Sequence, residues 1–229
     1  EVEEWRPHRF QHISADCQIA GRIERGNRPA CRIGRGKHWM GCETLVASGI
    51  GAKDRLTWFL EVVWVIAALP LLAFTARNFP LTRLLYVLIV LHMGVLMLGG
   101  HYTYAEVPLG FWAQEAFGFA RNHYDRLGHF MQGFVPAILA RELFLRLTPL
   151  KRGGWLFYLC VSCALAFSAF FEMIEWWSAV IMGGKAEAFL ATQGDIWDTQ
   201  WDMFLAMCGA ILSQLLLSRQ HDRELGLKR

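Results

Sequence analysis

Residues 155–171 read WLFYLCVSCALAFSAFF, an apolar run without a charge, and residues 172–175 continue it as EMIE. About 20 mostly apolar residues cross a bilayer as a helix. The stretch 155–182 therefore predicts a membrane span whose far third carries two acids, Glu172 and Glu175. Working outward, the same pattern returns at 56–76, 84–100, 127–147 and 202–217. The run at 127–147 is broken by His129 near its start and by Arg141, Glu142 and Arg146 near its end. No period-2 alternation and no internal repeat interrupts the series, which argues against a β-barrel.

The expected fold is an all-α polytopic transmembrane helix bundle, with five spans in this chain. The chain is 54% apolar and 19% charged, against about 45–50% and 25% for soluble domains. That balance excludes a soluble enzyme and a disordered protein. A net charge of +3, scattered along the chain, excludes a nucleic-acid surface.

The charges crowd into residues 1–50, a Gly- and Arg-rich segment with no apolar period. It reads as disordered, foreign or wrongly started, replacing a first span that would make six in the intact protein. Residues 51–218 are then the helix-bundle domain and 219–229 a basic tail. Cys17, Cys31 and Cys42 lack metal-ligand spacing, and Cys160 and Cys163 read as small packing residues. The linker after the second span holds PLGFW at 108–112, expected to lie in the membrane interface.

Basic residues mark the cytoplasmic side. Arg77 and Arg83, then Arg141, Arg146, Lys151 and Arg152, then Arg219, Arg223, Lys228 and Arg229 fall on one side if the spans alternate. The C-terminus is then cytoplasmic. Glu106, Glu115, Arg121, Asp125, Lys185, Glu187, Asp195 and Asp198 face out.

On that outer side the polar residues gather. Asp125 and His129 are four apart on one helix face, with Gln132 a turn deeper. Glu172 and Glu175 share a face, and Asp198 and Asp202 open the last span. His101, Tyr102 and Tyr104 end the second span at the same level. Each ionisable group in a membrane costs from about 2.5 kcal/mol upward, so several at one depth imply a shared polar pocket. Three readings stay open: a structural network, a metal or acid–base site, and a proton- or cation-coupled pocket.

As an enzyme site, Asp125, His129, Glu172 and Glu175 are the candidate catalytic residues. His129 would act as acid or base and Asp125 would orient it. The same four could hold a divalent metal. His101, Tyr104, Asp198 and Asp202 are the candidate binding residues. Glu61 reads as an end-of-span residue and His92 as a satisfied core histidine.

The motifs RNHYDRLGHF (121–130), FEMIEWW (171–177) and GDIWDTQWDM (194–203) together resemble the YjdF-type bacterial inner-membrane proteins. That resemblance implies a multi-pass inner-membrane protein of six spans and names no reaction. A weaker likeness is to VanZ-like membrane proteins. It rests on Asp125, Arg126, His129, Phe130, Glu172, Asp202 and Gly209, with Glu175 in place of a Gln and Ala206 in place of an Asn. It implies action at the outer face on a lipid or cell-envelope precursor. The expected function is an envelope-directed hydrolase or lipid-modifying enzyme in the lipid bilayer. The alternative is a transport or assembly protein whose acids pack helices.

Overall fold

The structure, a computed structural model, describes residues 36–183 and 187–227. Their regular elements are α1 (Gly36–Gly49), α2 (Arg55–Thr75), α3 (Arg83–Tyr102), α4 (Pro108–Phe117), α5 (Tyr124–Leu147), α6 (Gly154–Met182), α7 (Glu187–Leu190) and α8 (Asp198–Glu224). A 3-10 turn at Tyr104–Glu106 follows α3. Among the described residues there is no strand, as the sequence pattern requires of an all-α bundle.

Four helices, α2, α3, α6 and α8, are long and apolar enough to cross a membrane. The fifth long helix, α5, is more polar than these four and carries Asp125, Arg126, Arg141, Glu142 and Arg146. It sits instead at the centre, packed most extensively on α8 and then on α6 and α3. Asp125, His129, Gln132, Arg141 and Glu142 are all buried there. A helix ringed by other helices can carry such groups because they meet protein rather than hydrocarbon.

Small residues set the central contact. A Cβ added at Gly133 would run into the Ala206 carbonyl, and one at Gly209 into the Phe130 carbonyl. The α5 and α8 backbones therefore touch, as small residues permit in membranes. This contact lies one turn deeper than His129 on α5 and Asp202 on α8, so it brings those two side chains together.

Helix ends are set locally. Asp54 caps α2 by accepting a bond from the Thr57 N–H at 2.7 Å, which holds its carboxyl below the usual range. Thr82 caps α3 in the same way through Leu85. Thr103 ends α3 at φ 63°, a left-handed conformation rare for a β-branched residue. That turn drops Tyr104 between α3 and α5, where Gly99 and Gly128 leave room for its ring.

Of the segment 1–50, residues 1–35, with Cys17 and Cys31, lie outside the described residues, as does Lys185. Residues 36–49 form α1, helical despite lacking an apolar period. It docks on α2 and α3: Gly41 lies against Leu69, and the Trp58 indole N–H donates to the Ser48 hydroxyl at 3.1 Å. At the other end of the chain, α8 continues to Glu224. Residues 219–224, read from sequence as tail, thus belong to the bundle.

Candidate functional site

His129 is the hub. Its Nε2 lies 3.6 Å from Asp125 Oδ1 and 3.9 Å from Asp202 Oδ2, and its Nδ1 lies 3.6 Å from Glu172 Oε1. Asp125 and His129 meet because they are one turn apart on α5. Glu172 and Glu175 come from the C-terminal half of α6, and Asp202 from the first turns of α8. Two sets of groups each place their ligand atoms within 4.8 Å of one another: Asp125, His129 and Asp202, and His129, Glu172 and Glu175. One imidazole thus turns Nε2 to Asp125 and Asp202 and Nδ1 to Glu172. The Phe171 ring packs edge-on against it at 5.9 Å.

These groups are buried yet unsatisfied. His129 Nδ1, both carboxylate oxygens of Glu172 and Asp202 Oδ1 have no hydrogen-bond partner within the protein. Thr199 lies beside Glu172 without closing a well-formed bond. Buried charges are ordinarily paired or coordinate metals.

A second polar cluster at the opposite end of α5 provides the contrast. Glu142 accepts bonds from the Thr82 N–H and hydroxyl, from Arg146 at 2.7 Å, and pairs with His221 Nε2 at 3.0 Å. Arg141 bonds Asp222 at 2.6 Å and His221 Nδ1 at 2.8 Å. Glu142 and His221 are both 0% exposed, and their polar atoms have partners. One chain has therefore built one closed polar cluster and one open one.

The other expected site residues divide. Tyr104 joins the cluster, lining one cavity with Glu61, Asp125 and His129. His101 does not: α1 draws it away, and its Nδ1 lies 2.8 Å from the Ser48 carbonyl. Asp198 is held by Arg121 at 2.6 Å, in a rim network where Asp195 also pairs with Arg121 and Arg126. Arg121 further bonds the Thr192 carbonyl, which ties the α7–α8 loop to the segment leading into α5. Arg121 and Arg126, after burial, help hold His123 below the usual imidazole range at this rim.

Two polar residues that the sequence set apart from the site also lie here. Glu61, read as end-of-span, is 3% exposed and sits in the cluster with Tyr104. His92, read as satisfied, has a buried Nε2 without a partner and lines the adjoining cavity. That cavity, about 520 Å³, reaches Glu61, Asp125, His129 and Gln132 at its polar end.

The family model described as "Predicted membrane protein (DUF2238)" matches residues 40–223. The chain is 52% identical to the inner membrane protein YjdF of Escherichia coli (strain K12) over 181 residues, covering 79% of this chain and 87% of that protein. No solved structure matches.

Proposed function

The chain belongs to the DUF2238 family of predicted membrane proteins and is a multi-pass inner-membrane protein; on that premise we propose that the His129 cluster is a divalent-cation site serving hydrolysis or modification of a membrane lipid or envelope precursor. One observation carries the reading: buried carboxylate and imidazole atoms converge on His129 and lack partners, while the second cluster of the same bundle satisfies its own. A divalent cation would supply positive charge to these unpartnered carboxylates. Mixed imidazole and carboxylate donors suit Zn, Mn or Fe.

The chemistry follows from the donor set. A cation held by these residues would lower the pKa of a water and polarise an ester or phosphoester oxygen. The water oxygen bonds to the acyl carbon or phosphorus, and the bond to the leaving oxygen breaks. A carboxylate not engaged with the cation takes the water's proton and returns it to that oxygen. Asp125 and Asp202 on one side of His129, and Glu172 and Glu175 on the other, offer both a holding pair and a proton-moving pair.

The rival reading is a packing network or a coupled-transport pocket without catalysis. Asp195 and Asp198 do fit a structural role, bonded as they are to arginines. The test is turnover by the protein in nanodiscs supplied with Mn or Zn and a phospholipid bearing ester and phosphoester bonds. Cleavage dependent on the cation, and falling at least about 100-fold in folded His129→Gln and Asp202→Asn, is the expected result. Wild-type turnover in those variants, or none in metal-loaded protein, would reject it.

Orientation follows from charge. Arg146 bonds the Pro80 carbonyl and Arg152 bonds Asp222, so the basic loops meet at the end away from His129. That end is the cytoplasmic one, the C-terminus lies there, and the site faces the periplasm. A green fluorescent protein fused at the C-terminus should fluoresce and a fused alkaline phosphatase should stay inactive. The reverse pair would place the site inside.

A further inference from the structure

The cavity beside His129 does not end at the polar cluster. Beyond His92 and Gln132 it runs down the bundle between α2 and α5, with Ala68, Leu72, Thr75, Leu139, Leu143 and Leu147 along its walls. Two stripes make those walls. On α2 the lining residues recur at helical spacing from Glu61 to Thr75, and on α5 from Asp125 to Leu147. Both stripes start acidic at the same end and turn apolar from there. Packing explains the gap: α2 rests on α3 and α1 and stands off from α5 and α6. Trp64 meets Phe167 edge-on across the gap at 5.1 Å.

The span from Gln132 to Leu147 is about 22 Å of helix at 1.5 Å per residue. One leaflet of a bilayer with a 30 Å hydrocarbon core is about 15 Å deep. The groove is thus long enough for one lipid chain from end to end. Its polarity is graded as an amphiphile's is, with ionisable groups at one end and hydrocarbon below. Inside a bilayer the molecules at hand with that gradient are the lipids themselves.

From this we infer that the groove between α2 and α5 seats a single hydrocarbon chain of a membrane amphiphile, and so holds the bond next to its head group at His129. The inference rests on the proposed cation site and names the substrate class for it. One chain enters from the bilayer side, and any second chain remains in the leaflet. Ala68, the smallest of the wall residues named, leaves the width such a chain needs.

The test uses the full chain in nanodiscs of phosphatidylethanolamine and phosphatidylglycerol containing a phosphatidylglycerol with a diazirine near the end of one chain. After illumination, adducts are mapped by peptide mass spectrometry, and bound metal is measured on the same sample. Leu72, Leu139 and Leu143 should carry at least about threefold more adduct than Val90 and Leu91, which are 67% and 56% exposed on the outer face of α3. The variant Ala68→Trp should lose that excess while keeping the wild-type metal content. Groove labelling no greater than at Val90 and Leu91 would overturn the inference, whether or not metal is bound. A labelled groove with no metal at the cluster would instead leave the chain site standing and remove the cation reading on which its catalytic role depends. The wild-type comparison decides the matter even if Ala68→Trp does not fold.

Discussion

Replacing Glu142 by alanine should cost the folded bundle about 3–5 kcal/mol, the cost of leaving one side of a buried ionic network without its partner. Glu142 is fully buried and receives bonds from Thr82, Arg146 and His221. Its removal orphans the Thr82 N–H and leaves Arg146 and His221 without their acid. It also removes a polar tie between the start of α3 and α5, because the Thr82 N–H is held by this carboxylate, while Leu84, Leu85 and Leu88 stay packed on Val135 and Ile138. Denaturant or thermal melts in mild detergent would show the loss. Glu172→Gln in metal-free protein should act with the opposite sign, raising stability by about 0.5–2 kcal/mol. There the substitution removes a buried charge whose oxygens have no partner. Equal losses in both variants would mean that the two clusters are alike, and the cation reading would lose its basis.

Gly133→Ala should have the second large effect. Alanine is the better helix former by about 1 kcal/mol, and at an exposed position it would stabilise α5. Here its Cβ would meet the backbone carbonyl of Ala206, which cannot swing aside as a side chain could. Overpacking of that kind costs about 1–3 kcal/mol, so the net change should be a loss. The consequence for the site is sharper than for the fold. Moving α8 away from α5 carries Asp202 away from His129, and metal binding should fall even in protein that remains folded. Stability equal to wild type with unchanged metal would show that the two backbones do not touch.

How much of this was legible in the sequence depends on how far apart the partners lie. Four of the five expected spans were legible because each is a long apolar run, whereas the third, α5, is too charged to count with them. Also legible was the meeting of Asp125 with His129, one turn apart on one helix, and the pairing of Glu172 with Glu175. Asp202 was placed at the right end through alternation of the spans. Glu61 and His92 were not legible as site residues, because each is a lone polar group in its own helix. Only packing of α2 and α3 around Tyr104 and His129 gives them a role. His101 was misplaced for the converse reason. The segment that captures it, α1, carries no apolar period and was set aside. The closed cluster was hidden because Glu142 and His221 lie on different helices, with His221 inside a stretch read as tail. Arg141 and Glu142 read as breaks near the end of a span, whereas both are buried in the core of the half that faces the cytoplasm in the orientation proposed.

The central claim is that the open cluster holds a divalent cation. Its most direct test is metal content, measured by elemental mass spectrometry on protein purified in mild detergent without chelator. The Asp125→Asn/His129→Gln double variant is prepared alongside. Near-stoichiometric Zn, Mn or Fe in the wild type, lost in a folded variant, is the predicted result. A folded wild type without metal, or a variant that retains it in full, would contradict the claim.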